Sequence, residues 1–333
     1  MKRIAVIGAG SWGTALAIVA ARKGHEVRLW SRNSGVVAGI NRDHFNPSYL
    51  REAQIPANVE ACPQLGRTLD AAELVILAAP SHATRELLAN MQAALRAEMI
   101  IVSATKGIEI ETVKRISQVV AEVLPETAAP FVCLSGPSFA HEVVANHPTA
   151  VVAASNDREA ALTVQSELST ETLRIYVNDD VVGTELGGSV KNVMAIAAGM
   201  VHGLGFGANS IAALITRGLA EMTRLAIHEG AKLETMMGLA GLGDLVLTST
   251  GSLSRNRFVG EELGKGRSLA EIVAGMNEVA EGVKTTMAVK TFSNRLGVNM
   301  PITEEVYAVL YAGKPASEAA RDLMTRPLRE ERN

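Results

Sequence analysis

Several groups of residues in this 333-residue chain have types and spacings suited to chemistry. Lys191 stands in a stretch of helical periodicity between Val190 and Val193. The positions on its own face are Gly187, Gly188, Ala195 and Ala198. A lysine on such a stripe of small residues is not on an ordinary solvated face, and the stripe leaves room for a ligand or a second helix. A desolvated ammonium there shifts its pKa and can act as a proton donor. The alternative is a lysine that snorkels out of a helix–helix contact. Lys106 follows the apolar run Ile100–Ser103, in Ala104-Thr105-Lys106-Gly107. The run Phe131–Leu134 leads into Ser135-Gly136-Pro137-Ser138-Phe139-Ala140. One segment offers a cation, the other hydroxyls and backbone N–H groups; each is otherwise a surface loop. Further on, glycines at 238, 241 and 243 open the backbone ahead of Asp244. Ser254-Arg255-Asn256 then starts a helical stretch that runs to Leu263 and is closed by Gly264. Ser, Arg and Asn at a helix N-terminus suit a phosphate group. The alternative is a capped helix with surface arginines.

A second kind of signal lies near the N-terminus. Gly8-Ala9-Gly10-Ser11-Trp12-Gly13 has the form G-x-G-x-x-G. It follows a β-branched run, Arg3–Ile7, and opens a helical stretch, Ser11–Lys23, before a second strand, Glu26–Trp30. That context gives the motif a mechanism. Gly8 permits the tight turn, Gly10 lets the backbone approach a pyrophosphate, and Gly13 lets helix and strand pack closely. The helix N-terminus adds N–H groups and a positive dipole. An ordinary strand–helix turn is the alternative. NAD-selective sites usually place Asp or Glu at the end of the second strand, on the ribose 2′-hydroxyl. Here the chain has Ser31-Arg32-Asn33. A guanidinium pairs with a 2′-phosphate, so the expected cofactor is NADPH or NADH with NADPH preferred. Otherwise Arg32 stacks on adenine or faces water.

These segments need elements that bring strand ends together. Beyond the two strands above, Leu74–Ala79, Ile100–Ser103, Phe131–Leu134, Thr149–Ala154 and Leu173–Val177 read as strands alternating with helices. The alternation predicts a doubly wound parallel sheet of Rossmann type, with helices on both faces and ligands beyond the carboxyl ends of the strands. After Asn178-Asp179-Asp180 the pattern is helical: Asp180–His202, Asn209–Gly230, Ser268–Ala274, Val283–Leu296 and Thr303–Ala312. The expected division is a dinucleotide-binding domain over 1–180 and an all-α substrate and catalytic domain over 181–333.

Composition removes other classes. Lys+Arg is 32 against Asp+Glu 35, a net charge of −3, and aromatics are 4%. A general nucleic-acid binder needs a basic footprint or a stacking platform, so none is expected. Residues 193–215 are nearly uncharged and long enough to span a membrane. Gly199, Gly203, Gly205 and Gly207, with His202 and Asn209, instead predict two buried helices joined by a glycine turn. The apolar stretch after Met1-Lys2-Arg3 resembles a secretory signal. Its glycines belong to the loop above, so it is expected to be part of the folded chain. The two cysteines, Cys62 and Cys133, are expected as free thiols in a reduced, cytoplasmic setting. No Cys/His cluster has metal-ligand spacing, and no metal is expected.

With these segments in view, the chain resembles the bacterial-type NAD(P)-dependent glycerol-3-phosphate dehydrogenases. The matching stretches are GAGSWGTA (8–15), SATKGIE (103–109), LSGPSFAHEV (134–143), ELGGSVKNVMAIAAGM (185–200), GLAGLGDLVLTSTGSLSRNRFVG (238–260) and VAEGVKTT (279–286). They run in order through most of the length. The resemblance implies a Rossmann-type domain followed by an all-α domain, the 6-phosphogluconate-dehydrogenase-like plan. It implies reversible reduction of dihydroxyacetone phosphate to sn-glycerol 3-phosphate, which supplies glycerol phosphate for phospholipid synthesis. By similarity Lys191 is the proton donor. Lys106 holds substrate and carbonyl oxygen, with Gly136 and Ser138 as neighbours. Asp244 binds substrate hydroxyls or orients Lys191, and Ser254, Arg255 and Asn256 grip the phosphate. Cofactor contacts are implied for Gly8, Gly10, Ser11, Trp12, Gly13, Arg32, Lys106, Ala140, Arg255, Val279 and Glu281. A homodimer through the helical domain is the family-level expectation. The nearest rival is another two-domain dehydrogenase acting on a hydroxy acid, acyl-CoA or sugar acid. A nucleotide-sensing protein that has lost catalysis would preferably lack the proton donor.

Overall fold

In the computed structural model, residues 1–127, 129–276, 280–328, 330 and 331 are described. Eight strands form one sheet: β1 Arg3–Ile7, β2 Glu26–Trp30, β3 Val59–Cys62, β4 Leu74–Leu77, β5 Ile100–Ser103, β6 Phe131–Ser135, β7 Thr149–Ala154 and β8 Leu173–Asn178, in the order β3-β2-β1-β4-β5-β6-β7-β8. Helices between them are α1 Ser11–Arg22, α2 Ser34–Ala38, α3 Leu65–Leu69, α4 Ser81–Met91, α5 Ile116–Val123, α6 Ala140–Val144 and α7 Arg158–Leu168. The central strands are buried on both faces. In β1 and β4, Ile4, Val6 and Ile76 pack toward one helical layer, and Ala5, Ile7, Val75 and Leu77 toward the other. That is why these strands read as unbroken apolar runs rather than alternating ones. The chain winds outward through β2 and β3 and then returns to the other side of β1 with β4. The order therefore reverses between β1 and β4, where an open α/β sheet leaves a crevice beyond its strand ends.

Two features depart from the parallel sheet expected from the sequence. Val59–Cys62 is an additional edge strand, pairing with β2. It is too short, at four residues, to show a period. The sheet is also mixed: β7 runs antiparallel to β6, and β8 is parallel to β7. Between β6 and β7 the chain holds only the five-residue α6 and its loops. Along this connection the chain folds straight back beside β6, as an antiparallel neighbour allows. The long α7 permits the crossover from β7 to β8.

All described elements after β8 are helical: α8 Val181–Gly203, α9 Ala208–His228, α10 Leu233–Met236, α11 Asp244–Thr250, α12 Arg255–Gly264, α13 Leu269–Ala274, α14 Glu281–Leu296, α15 Pro301–Tyr311 and α16 Ala316–Met324. No described helix is long and apolar enough to cross a membrane, and α8 and α9 are separated at the glycine turn, but only α8 is buried as expected; the first half of α9 lies at the surface. The 23-residue α8 is buried over nearly its whole length, and its two buried ionisable side chains, Glu185 and Lys191, are both ion-paired. The Asp180 carboxylate caps it, accepting from Gly183 N at 2.8 Å and, with its other oxygen, from Lys232 N at 2.8 Å.

Glycines set how closely α12 approaches α8. A Cβ on Gly199 or Gly203 would run into the carbonyls of Arg257 and Glu261. One on Gly260 or Gly264 would meet those of Ile196 and Met200. The two backbones touch, so the N-terminus of α12 has a fixed place beside α8.

Adding one methyl group at this seam tests the constraint. Gly199→Ala is expected to cost ~1–3 kcal/mol, as overpacking does, and to lower the thermal midpoint. Gly66→Ala, where a Cβ meets nothing within 4 Å, should leave the midpoint level or raise it. Equal midpoints for the two variants would refute the close crossing.

Candidate active site

The ends of β1, β4, β5 and β6 open on one side of the sheet, and the helices from α8 onward carry residues to meet them. Gly8 has φ +117°, a conformation that costs little only for glycine, and a Cβ there would press on the carbonyl of Ala78 at 2.9 Å. A Cβ on Gly13 would strike the Gly8 carbonyl, which explains the close packing of α1 on β1. Gly10 has nothing within 4 Å of a Cβ and caps α1 without a side-chain hydrogen bond. The loop therefore shows an uncovered helix N-terminus, the shape and polarity a pyrophosphate requires. Next to it, the indole Nε1 of Trp12 is buried without a hydrogen-bond partner. These features fit a dinucleotide.

Arg32 is exposed beyond the end of β2, while Asn33 is used as the cap of α2. Burial, and then the positive charges of Lys284 and Arg32, push the His82 imidazole below its ordinary pKa. Two cations from different elements thus bear on the first turn of α4.

The lysines of the two halves converge on one carboxylate. Asp244, at the start of α11 and 0% exposed, accepts from Lys191 Nζ at 2.5 Å through Oδ1 and from Lys106 Nζ at 2.8 Å through Oδ2. Lys106 also donates to the Gly136 carbonyl at 3.0 Å, which accepts from Ser138 Oγ at 3.2 Å. The small-residue stripe of α8 admits main chain at one position and a side chain at the next. Gly187 lies against Ala240 and Gly241, and Gly188 against Ser135. Lys191 is 5% exposed. Burial lowers its pKa to about 8, the Asp244 carboxylate opposes that fall, and the Lys106 ammonium adds to it. Lys191 is therefore a buried acid able to exchange its proton near neutrality.

The N-terminus of α12 is close by, but two of its three expected phosphate ligands already have protein partners. Ser254 Oγ accepts from Arg257 N at 3.2 Å as the helix cap. Asn256 donates to Asn192 Oδ1 at 2.9 Å and accepts from Gly282 N at 2.9 Å, which ties α12 to α8 and α14. Arg255 is exposed and faces Glu281. Glu281, half-buried at the start of α14, accepts from the backbone N–H of Ser81. Burial raises its carboxyl to about 7 against the pull of Arg255, Lys106 and Lys191. Ala140 opens α6 and is half-buried. Val279 lies outside the described residues.

Some residues of this cluster gave no signal of their own. Thr248 accepts from Lys191 Nζ at 2.6 Å. Its place four residues after Asp244 on α11 could have marked it. Glu185 takes Ser117 N at 2.7 Å, Ser117 Oγ at 2.6 Å and Arg115 Nη1 at 2.7 Å, a second tether between α8 and the sheet's helices.

This arrangement matches known proteins along nearly the whole chain. Residues 3–161 fit the family described as NAD-dependent glycerol-3-phosphate dehydrogenase N-terminus, and residues 180–321 its C-terminus. The chain belongs to this dehydrogenase family. It is 55% identical to glycerol-3-phosphate dehydrogenase [NAD(P)+] of Koribacter versatilis over 98% of both chains. It is 52% identical to that of Myxococcus xanthus, over 99% of this chain and 98% of that one. Among solved structures, glycerol-3-phosphate dehydrogenase from Coxiella burnetii superposes with a TM-score of 0.94 at 41% identity, covering 98% and 99% of the two chains. This dehydrogenase is an oxidoreductase of Rossmann-type plus all-α plan. Among the described residues no group of three or more His, Cys, Asp or Glu could hold a metal ion. Both cysteines are free and buried.

NMR titration of lysines labelled with 13C at Cε tests the electrostatics directly. The Lys191 signal should titrate with a midpoint near 8, apart from the surface lysines. A midpoint with the surface group, near about 10.4, would mean that the site is wet.

Proposed function

We propose that this dehydrogenase reduces dihydroxyacetone phosphate reversibly to sn-glycerol 3-phosphate, and that Lys191 hands the carbonyl oxygen its proton. The observation that carries this reading is the pair of ammonium groups held by one buried carboxylate, Lys191 and Lys106 on Asp244. A nicotinamide cofactor held by the glycine-rich loop would supply the hydride for the ketone carbon. The chain does the rest. Lys191 gives the proton from Nζ and is left neutral, a form that its low pKa makes accessible. Lys106 orients the carbonyl oxygen, with Gly136 and Ser138 beside it. Of the two roles expected of Asp244, binding a substrate hydroxyl or orienting Lys191, its burial with one oxygen on each lysine supports the second.

The substrate is a small dianion, and Lys106, Lys191 and Arg255 supply compensating charge. Ser254 and Asn256 hold α12 so that its N-terminus and Arg255 receive the phosphate. Gly8, Gly10, Ser11, Trp12, Gly13, Ala140, Val279 and Glu281 are assigned to the cofactor. The working division is residues 1–180 for the dinucleotide and 181–333 for substrate and catalysis. NADPH is the preferred cofactor in this reading. Its support is the absence of an acidic residue at the end of β2, where Arg32 stands with Lys284 also bearing on His82. The proposed setting is the cytoplasm, where the product feeds phospholipid synthesis, and the proposed assembly is a homodimer through the helical half.

Cofactor absorbance with purified protein and dihydroxyacetone phosphate checks these assignments together. NADPH should be oxidised faster than NADH, and Arg32→Ala should narrow that ratio. Lys191→Ala should lower kcat by about 10²–10⁴-fold, the worth of a lost general acid. Full turnover by that variant would remove Lys191 from the mechanism. Folded protein that binds NADPH but oxidises neither cofactor would favour another two-domain dehydrogenase.

A further inference from the structure

Asn46 lies outside every segment that the reaction draws on, yet it is 0% exposed and fully hydrogen-bonded. Its Nδ2 donates to the Ala9 carbonyl at 2.9 Å and to Thr14 Oγ1 at 2.9 Å. Its Oδ1 accepts from Ser48 N at 3.1 Å and Tyr49 N at 3.1 Å. A side-chain amide has two N–H donors and one oxygen with two lone pairs, so all four positions are used. A carbonyl can only accept and a backbone N–H can only donate, so the partners also fix which end of the amide faces the loop.

Ala9 is the residue between Gly8 and Gly10. A peptide unit is planar and trans, so the Ala9 C=O and the Gly10 N–H point in opposite directions. Holding that carbonyl toward Asn46 turns the Gly10 N–H the other way. On Gly10 itself the space is open, with nothing within 4 Å of a Cβ. Thr14, one turn into α1, adds its own hydroxyl to the Ala9 carbonyl at 3.4 Å. Asn46 therefore clamps the loop to the first turn of its helix at the one peptide whose rotation would withdraw the N–H.

We propose that Asn46 is a positioning residue for the cofactor's pyrophosphate. It locks the Ala9–Gly10 peptide so that the Gly10 N–H meets a phosphate oxygen. This rests on the dinucleotide reading of the glycine-rich loop. The pyrophosphate is common to NADPH and NADH, so Asn46 supports both equally, unlike Arg32. It has no hydrogen-bonding position left for substrate, so its effect is on binding and not on the chemical step.

The test is Asn46→Ala in the full chain. NADPH and NADH affinities are read by fluorescence titration, with steady-state kinetics and the thermal midpoint alongside. The dissociation constants of both cofactors should rise by the same factor, about tenfold, the worth of one hydrogen bond to a charged group. At saturating cofactor, kcat and the KM for the ketone should stay within about twofold, as expected for lost ground-state binding. A lower midpoint with unchanged affinities would overturn the proposal, as would a loss confined to one cofactor. If Asn46→Ala does not fold, Asn46→Ser decides. Its hydroxyl can accept from the 48–49 turn but is too short to reach Ala9, so the same equal loss is expected and unchanged affinity overturns the idea. Should the unmodified chain bind neither cofactor, the dinucleotide reading falls first and this inference with it.

Discussion

Asp244 is the point on which the site depends. Its carboxylate is buried and holds an ammonium from each half of the chain, Lys106 from the loop after β5 and Lys191 from α8. Two positive charges that close repel, and burying either without a partner costs several kcal/mol. One carboxylate between them makes the group tolerable, and the residual positive charge is what a phosphorylated substrate would meet. The same contact joins the sheet to the helices, so the active site and the seam between the two halves are one structure. Glu185, with Arg115 and Ser117, makes a second junction along α8, and Asp180 anchors the start of that helix.

The helical half buries α8 and sets α11 and α12 beside it. Glycines serve this in two ways. Gly187 lets the backbone ahead of Asp244 reach α8, which brings the carboxylate within hydrogen-bonding distance of Lys191, and Gly188 admits the Ser135 side chain at the end of β6. Gly199 and Gly203, facing Gly260 and Gly264, set the crossing of α8 and α12. Of the two readings of the small-residue stripe, room for a ligand or for another helix, the structure shows the space at Gly187 filled by the main chain of Ala240 and Gly241 and that at Gly188 by the Ser135 side chain. Lys191 is dry because its neighbours come so close.

Much of this was legible in the sequence because local chemistry and global fold agree. The glycine-rich loop could be read from its place between an apolar strand and a helix, and α8 and α9 from the glycines that divide them. Ser254 as a helix cap followed from its type and position. What stayed hidden depended on contacts between distant segments. The β6–β7 reversal is a matter of strand direction, which the apolar pattern of neither strand reveals. Val59–Cys62 is defined by pairing with β2 rather than by its own period. The use of Asn256 to tie α12 to α8 and α14 could not be seen before the helices were placed, nor could the hydrogen bond that Thr248 accepts from Lys191, although its spacing from Asp244 was there to be read. Asn46 sits in an irregular loop, and the two groups to which its Nδ2 donates are more than thirty residues away.

The most direct test of the central claim is the pH profile of kcat/KM for ketone reduction in Asp244→Asn beside the unmodified enzyme. With Asp244 present, the rate should fall as pH rises through about 8, where Lys191 loses its proton. Without the carboxylate, burial is unopposed, and the falling limb should move at least about one pH unit lower, as loss of an opposite charge does. A limb that stays near 8 in the variant, with full rate below it, would contradict the account.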